Sequence, residues 1–146
     1  MPLSQNPTSG EKRDSLMGVW STEELSRIEK TDELHLASRR DDGSLSRFTT
    51  MWVVRIGDDV YVRSAGGPQR EWFRRATSSG AGRVRVGGVE RDVTFEAFIP
   101  EAAEKIDAAY HAKYDRYGLG IVGRVVGTDA VPVTIRLAPD DVTRRR

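Results

Sequence analysis

Asp58-Asp59-Val60-Tyr61-Val62-Arg63-Ser64-Ala65-Gly66-Gly67-Pro68-Gln69-Arg70-Glu71-Trp72-Phe73-Arg74-Arg75, continuing to Phe98, is the stretch that decides the fold. Val60 to Arg63 is a β-branched and aromatic run entered through the turn residues Gly57-Asp58-Asp59. Gly66-Gly67 permits backbone angles and close approaches closed to other residues. Pro68, with fixed φ and no N–H to lose, suits the entrance of a short helix over Arg70–Arg75. Val84-Arg85-Val86 and Val89 to Phe98 then read as two strands joined by Gly87-Gly88, the dipeptide of a two-residue hairpin turn. A glycine loop feeding a helix N-terminus beside a sheet presents free N–H groups to an anion.

Outward from this stretch, the 146 residues fit one domain, with 38% hydrophobic and 31% charged residues. Residues 1–18 are polar and aperiodic and read as a disordered tail, 19–139 as the domain, and 140–146 as a basic tail. No apolar run approaches the roughly 20 residues of a membrane span, so a cytoplasmic protein is expected. With no cysteine and two histidines, thiolate chemistry is excluded and a metal site is not expected. The 23 basic residues comprise 19 arginines and 4 lysines, against 22 acids. Arginine favours bidentate contact with phosphate or carboxylate, although codon bias yields the same bulk composition. The balanced acids argue against a nucleic-acid partner.

Ser21 to Glu24 matches a helix capping box, and Leu25 and Ile28 share one face, giving a short lid helix beside Trp20. Glu33 to Arg39 alternates as a strand, with His35 on the face opposite Leu34 and Leu36. Phe48 to Ile56 reads as one central strand. A turn over Gly57-Asp58-Asp59 places Arg55 opposite Tyr61 and Val53 opposite Arg63. Arg55 and Arg63 then become diagonal neighbours on one face, either solvated or sharing an anion. Pro100 opens a helix to about Tyr117, striped by Ala103, Ile106, Tyr110, Tyr114 and Tyr117 and stopped by Gly118. Ile121–Val126 and Val131–Leu137 read as β-rich, with Pro132 at an edge or at the first residue of the last strand. Together these predict a small, mainly β barrel of about six strands and three helices.

Tyr61 to Gly67, Glu71-Trp72-Phe73 and Val84-Arg85-Val86, with Ser38-Arg39-Arg40 and Arg47 to Val54 upstream, resemble the deazaflavin-dependent nitroreductase family. That family belongs to the split β-barrel, flavin-binding group that includes pyridoxamine phosphate oxidases, so the resemblance implies a Greek-key split β-barrel. The resemblance covers roughly residues 33–138, and the nearest relatives look like a bacterial domain family without assigned function. It implies a homodimer holding deazaflavin coenzyme F420 or FMN in a cleft and transferring hydride to a small organic acceptor. The alternative is a non-catalytic flavin-, deazaflavin- or haem-binding module of the same fold. Carried over, Arg39, Arg40 and Arg47 sit on the phosphate side. Thr49, Thr50, Ser64, Gly66 and Gly67 line the cofactor, with Trp72 packing the helix beneath it. Ala65 stands where family members often have lysine, and Arg63, on the same side as Ala65, is the substitute. Tyr110 or Tyr114 is the implied proton donor to the reduced substrate.

Overall fold

The computed structural model describes residues 18–97 and 100–140. Of the tails assigned to 1–18 and 140–146, residues 1–17 and 141–146 lie outside these residues, as does Phe98. Seven antiparallel strands form one sheet: β1 (Glu33–Ser38), β2 (Thr49–Trp52), β3 (Val54–Ile56), β4 (Asp59–Arg63), β5 (Ala81–Val86), β6 (Val89–Ala97) and β7 (Thr134–Pro139). Their order is β2-β1-β5-β6-β7-β4-β3. The two edges of that order are consecutive in the chain, separated only by Val53. One stretch of chain, 49–56, therefore seals both edges and curls the sheet into a nearly closed barrel. Closure removes the exposed edges that an open sheet would offer for aggregation. Neighbours β1/β5 and β7/β4 are distant in sequence, the crossed connectivity of a Greek key.

The helices follow their local signals. In α1 (Thr22–Lys30), Glu24 N–H donates to Ser21 Oγ at 3.0 Å and Ser21 N–H donates to Glu24 Oε1 at 2.8 Å, a complete capping box. Leu25 and Ile28 are buried beneath it in the barrel core. Helix α2 (Glu71–Ser79) buries Trp72, Phe73 and Ala76, and ends at Gly80 in the left-handed region at φ 80°. Helix α3 (Ala103–Tyr114) buries Ile106, Tyr110 and Tyr114 against the outer face of the sheet. Gly87 and Gly88, at φ 57° and 86°, make the hairpin turn between Val86 and Val89.

Alternation along the strands separates two cores. Val53, Val60 and Val62 enter the barrel interior with Leu34, Leu36 and Val84. Val54 and Tyr61 point the other way, into a second cluster built by α3 with Val122 and Val125. At the break, Val53 N–H donates to the Tyr114 hydroxyl at 3.0 Å. That hydroxyl donates to the carbonyls of Val53 and Asp32 at 2.8 and 2.6 Å. Lys113 Nζ donates to the carbonyls of Val53 and Ile28 at 2.9 and 3.1 Å. Two side chains of α3 thus satisfy the backbone groups that a strand interruption would otherwise orphan.

Four expectations are corrected. The central strand is two strands, raising the count to seven. The hairpin turn is Gly57-Asp58 alone, pairing Ile56 with Asp59, Arg55 with Val60 and Val54 with Tyr61. A one-residue slip moves every side chain to the other face. Arg55 and Arg63 are consequently on opposite faces, and Arg55 Nη1 pairs with Glu29 at 2.8 Å. Residues 121–126 are not a strand: Leu119–Val122 is a single helical turn, α4, and Val122 and Val125 pack on α3 at a three-residue spacing. Pro132 lies in a 3-10 segment, Thr128–Val133, ahead of β7, which is central between β4 and β6.

Tyr114→Phe should destabilise the fold by about 1–3 kcal/mol, because Val53 N–H stays buried without its acceptor. Denaturant unfolding measures this, and a cost near zero would contradict the role given to the hydroxyl. Burial pulls the Lys113 ammonium down to about 8 from its ordinary 10.5. Between those values the folded chain binds fewer protons than the unfolded one, so stability attributable to Lys113 rises with pH. Unfolding midpoints of wild type and Lys113→Met, compared from about pH 7.5 to 9.5, should show the rise only in wild type. The buried tyrosines, whose phenols are pushed up by burial, act in the opposite sense only at higher pH.

Candidate functional site

A cleft of about 370 Å³ opens where β2, the loop after β4 and the start of α2 meet. It lies within the usual range of roughly 300–1,000 Å³ for small-molecule sites. Thr49, Thr50, Met51 and Trp52 supply one wall, and Ala65, Gly66, Arg70 and Trp72 another. Ile121, Arg124 and Val125 close the third side, and Glu33 stands at the rim. Trp52 is held half-buried by stacking on Tyr114, with ring centroids 4.1 Å apart and planes 9° apart. The loop over 64–67 is closed by Ser64 Oγ donating to the Gly67 carbonyl at 2.7 Å and by the left-handed φ of Gly67, 86°. The Arg70 side chain lies across Gly66, where any Cβ would collide with it.

The electrostatics of the cleft come from two guanidiniums. Among the described residues, neither Arg70 nor Arg124 has an ion pair or hydrogen bond from its side chain. Arg70 is also the N-cap of α2 and makes no side-chain cap bond. The first three N–H groups of that helix have no i−4 partner, since the first such bond runs from Arg74 N–H to the Arg70 carbonyl. Two uncompensated cations and an uncapped helix N-terminus beside an aromatic wall suit a planar ring carrying an anionic group.

Arg63 contributes differently from the expectation. Its side chain has no solvent exposure. Nε donates to Thr134 Oγ1 at 2.8 Å, and Nη1 donates to Asp107 Oδ1 at 2.5 Å and to the Val125 carbonyl at 2.7 Å. The Thr134 hydroxyl passes its own proton to the Ala130 carbonyl at 2.9 Å. Arg63 borders the cleft from beneath, but its charge is neutralised and its principal donors are committed to the protein. It cannot stand in for a lysine at the position of Ala65.

The other sequence-derived residues divide among separate places. Thr49, Thr50, Gly66 and Trp72 do gather at the cleft. Ser64 and Gly67 line a different cavity of about 530 Å³ on the far side of the glycine loop. Arg39 and Arg40 line a basin of about 580 Å³ with Arg74 and Arg75 on the opposite flank of α2. There Arg39 pairs with Asp92 at 3.2 Å, and Arg40 donates to Ser44 Oγ and the Leu45 carbonyl. Arg47 is exposed and does not border the cleft. Tyr110 and Tyr114 are fully buried in the second core, away from the cleft. The Tyr114 hydroxyl is committed to the strand break, and that of Tyr110 is buried with no partner at hydrogen-bond geometry among the described residues. Arg70 and Arg124 were missed because the first reads as ordinary helix entry and the second sat in a segment read as strand. No group of three or more His, Asp or Glu among the described residues is placed to hold a metal ion. No helix among them is long and apolar enough to cross a membrane.

Barrel closure by a broken strand, a helix between β4 and β5 and a cleft at the glycine loop define a split β-barrel. The chain is similar to a conserved hypothetical protein from Mycobacterium tuberculosis, with 14% identity over 90% of this chain and 84% of that one, at a TM-score of 0.59. It is similar to an F420-H2-dependent reductase, with 14% identity over 73% of this chain and 93% of that one, at a TM-score of 0.55. It is also similar to a FAD-binding protein from Mesorhizobium loti, with 17% identity over 84% of this chain and 92% of that one, at a TM-score of 0.52. No protein of curated function matches the sequence. Over residues 24–137 the chain matches, and belongs to, the family of uncharacterized proteins conserved in bacteria, DUF2255.

Arg63→Ala should destabilise the fold by about 3–5 kcal/mol, the range for removing one partner of a buried pair, because Asp107, Thr134 and Val125 each lose a donor. The lower end is expected, since the Asp107 side chain keeps 32% exposure. Thermal or denaturant unfolding measures this, and wild-type stability in the variant would overturn the buried role.

Proposed function

We propose that this protein is a cytoplasmic, homodimeric oxidoreductase that binds a deazaflavin or flavin mononucleotide in the cleft beneath Trp52. The observation that carries the reading is the pairing of Arg70 and Arg124, both uncompensated, with an aromatic and threonine-lined wall. The bound cofactor supplies hydride transfer to a small organic acceptor, and the chain supplies binding, orientation and electrostatics. Trp52, Trp72 and Met51 hold the ring. The hydroxyls of Thr49 and Thr50 offer hydrogen bonds to its polar edge. Arg70, Arg124 and the open N-terminus of α2 take the phosphate. Exposed Tyr117, Leu119 and Ile121, at 45–69% exposure beside the cleft, support a face covered by a second copy.

A second reading has its own support. Among the described residues bordering the cleft, Glu33 is the only acid and no tyrosine, histidine or lysine is present. With Tyr110 and Tyr114 sealed away, a non-catalytic module holding a flavin, a deazaflavin or haem is the alternative. Turnover of reduced cofactor with nitro, quinone and enone acceptors separates the two, and binding without turnover favours the module.

Fluorescence titration with FMN and with F420 should give a dissociation constant below about 100 μM for one of them. Arg70→Ala should weaken it by about 1.5–3 kcal/mol, the loss of a charged hydrogen bond. Absence of binding by either cofactor up to millimolar concentration would falsify the reading.

A further inference from the structure

We infer that Asp107, which does not border the cleft, is the positioning residue for Arg124 and thereby controls how tightly the cleft holds an anionic group. This rests on the anion-binding reading of the cleft. Arg124 sits in a short segment between two glycines, Gly123 and Gly127, the latter at φ 93°. Among the described residues its side chain has no ion pair or hydrogen bond, and Arg124 lines two cavities, the cleft and the glycine-rich cavity behind the loop. The point from which its side chain reaches the cleft is set by the backbone that carries it, and that backbone is tied to one ion pair at two points. Asp107 Oδ2 accepts the Gly127 N–H at 3.2 Å, while Oδ1 accepts from Arg63 Nη1 at 2.5 Å. The same Nη1 donates to the Val125 carbonyl at 2.7 Å. A single carboxylate on α3 thus fixes the segment both directly and through a buried guanidinium. Released from it, a segment bounded by glycines gains conformational freedom, and Arg124 loses the pre-organisation that makes a charged contact effective.

FMN and riboflavin differ only in the phosphate, so the ratio of their affinities reads the anion contact alone. With the full chain, wild type should bind FMN roughly ten- to hundredfold more tightly than riboflavin, the span of a charged hydrogen bond. Asp107→Ala and Arg124→Ala should each lower that ratio roughly threefold or more, the remainder being held by Arg70 and the N-terminus of α2, and leave riboflavin affinity unchanged. The double variant should lose nothing further. Asp107→Asn, which keeps an acceptor for Arg63 but none for the Gly127 N–H, should fall between and serves if the alanine variant does not fold. A wild-type ratio in Asp107→Asn, or equal loss of both flavins, overturns the inference. Amide hydrogen exchange at Gly127 is read in parallel with no ligand present. Asp107→Asn should speed it and Arg124→Ala should not, and an unchanged rate in Asp107→Asn also overturns the inference. Wild type binding neither flavin defeats the cofactor reading instead, and the exchange result then decides on Asp107 by itself.

Discussion

The guanidinium of Arg63 is the interaction on which the rest of the structure depends. A strand arginine with no solvent exposure needs acceptors for its donors and a counter-charge, or its burial costs several kcal/mol. It finds them in four places: Thr134 on β7, Asp107 and the Ala103 carbonyl on α3, and the Val125 carbonyl beyond α4. The sheet, the long helix and the cleft wall are thereby joined through one side chain. Well-packed apolar residues could supply comparable stability without the desolvation cost. What a buried ion pair adds here is direction, since hydrogen bonds hold the 124–127 segment at defined angles and dispersion contacts would not.

Barrel closure places the site. Because 49–56 changes partners at Val53, its first half runs along β1 and its second half along β4. The residues at the change, Met51 and Trp52, face the loop that leaves β4, and the cleft is the space between them. The tyrosines of α3 serve this geometry as structural parts. Tyr114 satisfies the interrupted backbone and stacks under Trp52, so the ring presented to a ligand rests on a fixed platform.

Local signals made much of the barrel legible. The Ser21/Glu24 box, the Gly87-Gly88 hairpin, the Trp72 helix and the tyrosine stripe are each encoded within a few residues and each forms, except that the striped α-helix ends at Tyr114 and leaves Tyr117 exposed in a 3-10 turn. Thr49, Thr50, Gly66 and Trp72 were placed in the site by resemblance, and they gather there. The failures are non-local. Gly57-Asp58-Asp59 supports either a two- or a three-residue turn, and the choice is made by which face must be buried, not by the turn. The β-branched run over 121–126 carries strand propensity, yet the glycines around it and the demand of α3 for cover at Val122 and Val125 make it turn. Among 19 arginines no local pattern marks Arg63 as buried, because its carboxylate lies 44 residues away.

The central claim is that the cleft under Trp52, with Arg70 and Arg124 uncompensated, is a cofactor site. A crystal structure of the protein grown with FMN or F420 tests it most directly. The account predicts the ring against Trp52 and Trp72 and the phosphate within hydrogen-bond reach of Arg70 and Arg124. Cofactor found instead in the basin of Arg39, Arg40 and Arg74, with the cleft unoccupied, would contradict it.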